Sequence, residues 1–278
     1  MDPRVHPVAI SASQTVTLTE YGVPGPAASI VFLPALGVPL GYYDRLFAAW
    51  SARGRHVVGV ELRGMPLSPV TDLKRQPFGY AQMVREDLPA VFASPALADA
   101  AKVVLAGHSL GGQLALLSGA AGTVRPDAVV TLASGTSSPY ARRSRLGRAQ
   151  RAAAVRVVGA VTCSLGYWPG HRLGFAGRQP STLMRDWGYE ARTGHYRLRG
   201  DRTDYEQALA ALPMPALLVD LAGDRMIPAA AVDHLANRLP PHVTRARIEA
   251  APDHFLWARR TPEKVIAGVE TWLATQSL

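Results

Sequence analysis

The stretch VVLAGHSLGGQLALL, residues 103–117, joins a predicted buried strand directly to a predicted helix. It begins with an apolar run rich in β-branched side chains, which is typical of a strand inside a sheet. From Leu110 onward, leucines recur at i, i+4 and i+7, which is helical spacing. Ser109 stands between the two elements, with Gly107 two residues before it and Gly111 two residues after it. A strand that turns directly into a helix crowds the backbone, so these small residues are expected there.

The pattern G-x-S-x-G at such a turn is the arrangement called a nucleophile elbow. It projects the serine hydroxyl above the edge of the sheet, with the N terminus of a helix beneath it. The bare pattern also occurs in ordinary turns, so it indicates function only together with the strand, the helix and partner side chains. The strand and the helix are present around Ser109. The partners have to come from other parts of the chain.

Composition limits the classes of protein to consider. The chain has 278 residues, enough for a large core in one domain or two, and is 48% hydrophobic and 18% charged, as in soluble globular proteins. No apolar run reaches the roughly 18 residues that span a bilayer, and the first residues do not resemble a signal peptide. The single cysteine, Cys163, excludes an internal disulfide and a cysteine-based metal site. We therefore expect a cytoplasmic protein with no membrane span.

The basic residues are unevenly distributed. The formal net charge is +9, and residues 136–212 contain thirteen arginines against five acidic residues. A basic patch can attract phosphate, anionic lipid or an acidic carrier protein. These arginines are not interleaved with a motif that binds DNA or RNA, so we expect no nucleic-acid partner. A solvated basic surface is the favoured interpretation.

Predicted strands alternate with predicted helices along most of the chain. This alternation predicts an α/β fold with a mostly parallel central sheet covered by helices on both faces. The predicted strands cover residues 13–20 (an edge strand), 29–33, 56–62, 103–106, 128–133, 216–221 and 243–248; the predicted helices cover residues 42–52, 78–92 and 262–275 and a segment that starts at residue 110.

The alternation stops between residues 136 and 212. This segment has no buried strand pattern, is rich in arginine and aromatic residues, and is too long for an ordinary loop. We interpret it as a mostly helical cap inserted into the core. The predicted organisation is therefore a core in two parts, residues 1–135 and 213–278, with a cap of residues 136–212 between them.

A serine hydroxyl needs a base to become a nucleophile, and the base needs an acid that orients it. His254 lies after the last predicted strand and before the final helix, where such a base is expected. Asp224 follows the preceding strand in LLVDLAGDRMIP. Asp220 lies within that strand and Asp253 is adjacent to His254, so both rank below Asp224. The order Ser109, Asp224, His254 predicts a Ser-His-Asp triad.

Four motifs together resemble the α/β-hydrolase-fold serine hydrolases over nearly the whole chain apart from the cap. They are GHSLGG, AGDRMIP, DHFLW and VELRGMPLS. Two further stretches, LPALGVPLGYYDRL and LMRDWGYEARTGHY, resemble a cap-bearing subgroup of predicted hydrolases. The chain departs from the family pattern at Pro34-Ala35, where many relatives have His-Gly, and at Met65-Pro66, where they have a glycine after Arg-Gly. Both departures alter the mouth of the expected pocket without removing a catalytic group.

The resemblance also implies an oxyanion hole made of two backbone N–H groups. One donor is expected from Leu110, at the first turn of the helix. The other is expected from the loop after residues 29–33, where Pro34 has no N–H and the family pattern favours Leu36, with Ala35 as the alternative. An ordinary apolar turn explains these loop residues equally well. The residues expected to line a substrate pocket are Ala35, His108, Trp168, Trp187 and Tyr196, although packing inside the cap explains the aromatic ones at least as well.

The sequence thus predicts a hydrolase that cleaves a small-molecule ester or related acyl bond through an acyl-enzyme, without a metal or organic cofactor. Three alternatives remain open. A thioesterase would act on an acyl chain held by an acidic carrier that docks on the arginines at 142, 143, 145, 148 and 151. A cyclase or lyase would use His254 without an acyl-enzyme. A non-catalytic protein would use the pocket only to bind a small molecule.

Overall fold

A computed structural model describes residues 3–12, 14–142, 144–249 and 252–278. Eight of its ten strands form one sheet, in the order β1-β2-β4-β3-β5-β6-β9-β10, and β7 and β8 form a separate hairpin. The strands are β1 (Arg4–Ser11), β2 (Gln14–Tyr21), β3 (Ser29–Leu33), β4 (Val57–Glu61), β5 (Val103–His108), β6 (Ala128–Leu132), β7 (Tyr167–Pro169), β8 (Arg178–Pro180), β9 (Ala216–Leu221) and β10 (Thr244–Ile248).

Helices connect most of these strands. They are α1 (Asp44–Ser51), α2 (Tyr80–Gln82), α3 (Leu88–Phe92), α4 (Leu110–Ala120), α5 (Arg145–Leu165), α6 (Gly170–Leu173), α7 (Ser181–Thr193), α8 (Tyr205–Ala210), α9 (Ala229–Ala236), α10 (Trp257–Arg260) and α11 (Pro262–Thr275). A π-helical turn, Met83–Asp87, joins α2 to α3. Within the described part of the chain, no helix is both long and apolar enough to cross a membrane.

The predicted α/β class with a mostly parallel sheet is confirmed. The six strands from β4 to β10 in the sheet order run parallel, while β1 and β2 join them antiparallel. The strand predicted at the edge corresponds to β2, which lies second, and its predicted first residue, Ser13, lies outside the described residues. The outermost strand, β1, was missed because Pro7 interrupts its pattern. An edge strand tolerates proline, since its missing N–H can face solvent.

Each central strand is buried on both faces, which explains the continuous apolar runs in the sequence. In β3, Ile30 and Phe32 face the layer formed by α1, α10 and α11, while Val31 and Leu33 face the layer that contains α4 and α9. The second layer continues into side chains of α7, including Leu183. The core therefore lies on both sides of the sheet, and one side extends under the segment inserted after β6.

The chain between β6 and β9 contributes no strand to the eight-stranded sheet in its described residues. We call residues 136–212 the cap segment. Its long helix α5 begins where the Ser144 hydroxyl accepts a hydrogen bond from the Gly147 N–H and ends at Gly166, whose φ of 75° is left-handed. Helix α5 packs against α7. The segment also contains the β7–β8 hairpin, which the expectation of a mostly helical cap did not specify.

Candidate active site

Ser109 lies at the turn between β5 and α4 in a backbone conformation that L-residues rarely adopt. Its φ is 52° and its ψ is −113°. Its N–H donates to the carbonyl of Leu132 on β6 at 2.9 Å, and its side chain is half-buried at the wall of a cavity. Strain of this kind persists only where the surrounding structure holds it. The neighbouring strand and the first turn of α4 hold it here.

The glycines around Ser109 are required by close backbone contacts. A Cβ on Gly107 would lie 2.2 Å from the backbone carbon of Gly111. A Cβ on Gly111 would in turn lie 2.1 Å from the carbonyl oxygen of Leu33 on β3. Only a hydrogen atom fits at these positions. The small residues that the sequence predicts therefore bring the start of α4 against the sheet.

His254 and Asp224 are joined by a hydrogen bond. His254 Nδ1 lies 2.6 Å from Asp224 Oδ2, and both residues are buried. The other carboxylate oxygen, Oδ1, accepts hydrogen bonds from the N–H groups of Met226 at 2.7 Å and Ile227 at 2.8 Å. The carboxylate is therefore fixed by its own loop. With a proton on Nδ1 donated to Asp224, Nε2 of the neutral imidazole is left as an acceptor.

The two rival carboxylates have other partners. Asp220 accepts hydrogen bonds from Arg245 and Arg247, each at 2.9 Å, and so pairs β9 with β10. Asp253 accepts the N–H groups of the two residues that follow His254, at 2.7 and 2.6 Å, and so closes a turn. The structure brings Asp224, and neither rival, to the imidazole of His254.

His108 lies behind His254, outside the cavity wall. Its Nδ1 is 2.7 Å from the hydroxyl of Tyr43, and its ring centroid is 4.7 Å from that of His254. Burial, together with the adjacent His254, lowers the pKa of His108 well below its usual value, so its ring stays neutral. The Tyr43 hydroxyl also accepts the N–H of Ala35 at 3.1 Å. Ala35 is therefore engaged, whereas the Leu36 N–H has no acceptor among the described residues.

A cavity of about 520 Å³ connects these groups. Of the residues singled out from the sequence, those that line it are Ser109, His254, Leu110, Leu36, Ala35, Trp187 and Arg151. Ser109 therefore lines the cavity together with the loop after β3 and the first turn of α4. Within the described residues, no group of three or more His, Cys, Asp or Glu side chains is arranged to hold a metal ion.

Three residues predicted to line the pocket do not line it, and this corrects the prediction. His108 is enclosed behind His254. Trp168 is buried in the cap segment, where its Nε1 donates to the carbonyl of Phe175 at 2.8 Å. Tyr196 is buried beneath Arg238, whose guanidinium carbon lies 5.1 Å from the centre of the tyrosine ring. The aromatic pattern indicated burial correctly but carried no information about which rings would reach the cavity.

Sequence reasoning missed two features of the wall. The first is the close approach of the glycine-containing stretch GHRLGFAG, residues 170–177, to the loop after β3, where a Cβ on Gly37 would lie 2.1 Å from the backbone carbon of Ala176. The second is that Arg151, which only the thioesterase alternative singled out, lines the cavity. The three glycines in the stretch signalled a close approach, but their partner lies far away in sequence.

Comparison with known proteins identifies the class. A model of the "Alpha/beta hydrolase family" matches residues 30–267. The chain therefore belongs to the alpha/beta hydrolase family, and the resemblance found in the sequence is confirmed. Among curated proteins, none has a sequence that matches this chain.

Solved structures with the same fold cover nearly the whole chain. E-2-(acetamidomethylene)succinate hydrolase has a TM-score of 0.63 at 18% identity, with 98% of this chain and 99% of that chain covered. Alpha/beta hydrolase domain-containing protein 10 from mouse has a TM-score of 0.68 at 14% identity, covering 98% and 99%. The thioesterase domain from the curacin biosynthetic pathway has a TM-score of 0.64 at 12% identity, covering 97% and 100%. Similarity at these identities extends to the fold alone.

Proposed function

We propose that this protein is a serine hydrolase that cleaves a small-molecule ester or related acyl bond. Ser109 is the nucleophile, His254 the general base and Asp224 the acid that orients it. The observation that carries the proposal is the 2.6 Å hydrogen bond between His254 Nδ1 and Asp224 Oδ2, beside a cavity that Ser109 and His254 both line. This arrangement has the nucleophile, base and orienting acid that acyl transfer by a serine requires.

The proposed reaction has two acyl transfers. In the first, Ser109 Oγ attacks the carbonyl carbon while His254 Nε2 takes the hydroxyl proton, and the N–H groups of Leu110 and Leu36 donate to the oxyanion. The ester bond then breaks, and the alcohol leaves with the proton from His254. In the second, water attacks the acyl-serine with His254 again as base, which releases the acid and restores Ser109. The proposed chemistry uses no metal or organic cofactor.

The cavity supports a small substrate. Its volume of about 520 Å³ lies within the range of sites that bind small molecules, and its wall combines apolar side chains with a few polar groups. Trp187 and Phe175 of the cap segment form part of the apolar wall. We favour an ester over an amide because an alcohol is a better leaving group than an amine.

A thioesterase that acts on carrier-bound acyl chains is the second candidate, because the outer side of α5 is basic. Arg145 and Arg148 are exposed on this helix, which has no acidic residue. The five arginines do not form one surface, however: Arg142 donates to two backbone carbonyls, Arg151 lines the cavity, and Arg143 lies outside the described residues. Replacing Arg145 and Arg148 by Glu should lower kcat/KM for a thioester on an acidic carrier protein but not for the same acyl group on N-acetylcysteamine. Equal effects on both substrates would contradict a docking role.

Covalent labelling tests the main proposal. A phosphonylating reagent should attach to Ser109 and to no other serine, as read by mass spectrometry of peptides. Ser109→Ala should abolish labelling and lower kcat for ester hydrolysis by roughly 10⁶-fold, since the triad acts as a unit. His254→Ala should suppress labelling because the hydroxyl loses its base. Ser164→Ala, which removes an exposed serine of α5, is the matched control and should label normally.

The outcomes separate the remaining alternatives. If Ser109→Ala still converts an identified substrate at a near-normal rate, the acyl-enzyme mechanism is wrong, and a cyclase or lyase with His254 as general base becomes the better account. If the wild-type protein neither labels nor hydrolyses a broad panel of esters, the cavity serves for binding without catalysis.

A further inference from the structure

Arg151 is the only Arg, Lys, Asp or Glu among the described residues that line the cavity with Ser109. It projects from α5 in the cap segment. Its Nε–H donates to the carbonyl of Ser137 at 2.8 Å, and its guanidinium carbon lies 5.5 Å from the centre of the Trp187 ring. The ring and the carbonyl hold the guanidinium in place, and the N–H bonds of its two terminal nitrogens have no acceptor among the described residues.

Arg151 is half-buried, and the two arginines that are more deeply buried in the described residues are paired with carboxylates. Arg55 contacts Glu270 at 2.6 Å, and Arg63 contacts Glu86 at 2.9 Å and also pairs with Asp87. A buried charge without a partner is costly, so such pairing is the rule in proteins. Among the described residues, no carboxylate oxygen lies within 4.0 Å of the Arg151 nitrogens. Arg151 therefore differs from these two arginines by lacking an anionic partner among the residues that the structure describes.

The buried acid whose charge acts on Arg151 is engaged elsewhere. Glu190 on α7 accepts hydrogen bonds from the Thr136 hydroxyl and from the Ser137 N–H, the latter at 3.0 Å. Glu190 therefore accepts the N–H of Ser137, while Arg151 donates to the carbonyl of the same residue. Burial lowers the pKa of Arg151, and Glu190 acts in the opposite direction. The protein thus positions a desolvated guanidinium without neutralising it by direct contact.

We propose that the substrate of this site carries a carboxylate, at a position away from the bond that is cleaved, and that Arg151 binds it. This inference rests on the proposed ester hydrolysis at Ser109. A guanidinium offers parallel N–H donors that match the two oxygens of a carboxylate. In its described part, the cavity wall holds one permanent positive charge, which matches a singly charged anion. The substrate class is therefore the half-ester of a dicarboxylic acid, or a similar ester with a free carboxylate.

Matched ester pairs test this substrate class. The mono-4-nitrophenyl esters of adipic and suberic acid carry a terminal carboxylate, whereas 4-nitrophenyl hexanoate and octanoate are the neutral esters of the same chain length. The wild-type protein should have the higher kcat/KM for the acidic member of at least one pair after spontaneous hydrolysis is subtracted. Arg151→Met should lower the acidic-to-neutral ratio of kcat/KM by roughly 30-fold or more, the size expected on truncating one member of a buried charge pair.

Two further variants distinguish recognition from a general effect of charge or folding. Arg156→Met removes an exposed positive charge from the same helix and should leave the ratio unchanged. Arg151→Lys keeps the charge but loses the forked geometry, so its ratio should lie between those of the wild type and Arg151→Met. A structural role for Arg151 would lower kcat/KM for both esters together and leave the ratio unaltered, which would contradict the proposal.

Ligand binding provides a test that depends neither on turnover nor on a folded Arg151 variant. Hexanoate should raise the Tm of the wild-type protein and of Ser109→Ala, and hexanamide, a neutral compound of the same chain length, should not. Equal shifts with the two compounds would overturn the proposal, as would a larger shift with hexyl phosphate than with hexanoate. If no ester is hydrolysed but hexanoate still raises the Tm, the ester-hydrolase function fails while the anion site at Arg151 stands.

Discussion

The elbow at Ser109 and the cap segment are held in place by different kinds of contact. At the elbow, backbone touches backbone: Gly107 lies against Gly111, and Gly111 against Leu33. In the cap segment, buried charged side chains bind loops and helices that are distant in sequence. Glu190 accepts the N–H of Ser137, just after β6. Asp186 accepts the N–H of Tyr80 in α2 and the N–H of Arg199.

This difference affects how each region responds to its surroundings. Contacts between backbone atoms neither gain nor lose protons. We therefore expect the geometry of the elbow not to change with pH. The cap segment depends on carboxylates whose ionised form is disfavoured by burial, which raises the pKa of Asp186 to about 6 and that of Glu190 to about 7. We infer that the proposed nucleophile, Ser109, rests on contacts that do not titrate, whereas Arg151, the proposed substrate-binding residue, lies in the region that responds to pH.

The largest expected effect concerns the acid next to His254. Asp224→Asn should lower kcat by roughly 10⁴-fold, because an amide in place of the carboxylate favours the wrong tautomer of the imidazole. The carboxylate is fixed by two backbone N–H groups, so we expect the variant to fold normally. Ester hydrolysis and circular dichroism measure the two effects. Asp253→Asn is the matched control, and a larger loss in that variant than in Asp224→Asn would assign the orienting role to Asp253.

The second effect concerns the stability of the elbow. Gly111→Ala places a methyl group 2.1 Å from the Leu33 carbonyl oxygen and should lower the free energy of unfolding by about 3 kcal/mol or more. Urea denaturation measures the loss. Gly25→Ala is the control, since no atom lies within 4 Å of the added Cβ, and a change of under about 1 kcal/mol is expected there. Equal changes in the two variants would show that the backbone at the elbow can relax.

The elbow, which is held by contacts between backbone atoms, is also the region that the sequence predicted well. The requirement for small residues around Ser109 is visible within five consecutive positions. The acid followed from its place after a strand. By contrast, Arg151 stood in an arginine-rich stretch that indicated a solvated surface, and nothing in its neighbours revealed that α5 turns it toward the cavity. Contacts such as that of Arg151 with Ser137 depend on how the cap segment packs, which periodicity and spacing do not encode.

The third prediction tests the response of the cap segment to pH. The pKa of Glu190 is about 7 in the folded protein against an ordinary value of 4.5. The folded state therefore binds this proton more tightly than the unfolded state. Its contribution to stability is fully present below about pH 4.5 and is lost as the pH rises through about 7. Between these values, the wild-type protein should lose on the order of 2 to 3 kcal/mol relative to Glu190→Gln, which does not titrate.

Urea denaturation of both proteins at several pH values measures this difference. Asp87 and Asp186, whose pKa values burial also raises to about 6, titrate in both proteins, so the comparison isolates Glu190. Parallel stability curves for the two proteins would mean that Glu190 ionises as easily in the folded state as in the unfolded state. Glu190 would then give the cap segment no response to pH that the elbow lacks.

The smallest expected effect tests whether the cap segment unfolds together with the core. Gly159 is exposed within α5, and no atom lies within 4 Å of a Cβ added there. Gly159→Ala should therefore raise helix stability by up to about 1 kcal/mol. Because Asp186 ties the cap segment to α2 of the core, we expect this gain in the global free energy of unfolding, measured by urea denaturation. Gly166→Ala is the matched contrast on the same helix, since its φ of 75° disfavours a side chain, and it should lower stability by about 1 kcal/mol. If Gly159→Ala slows amide exchange in α5 while global stability stays constant, the cap segment opens independently of the core, and its buried carboxylates do not couple the two regions.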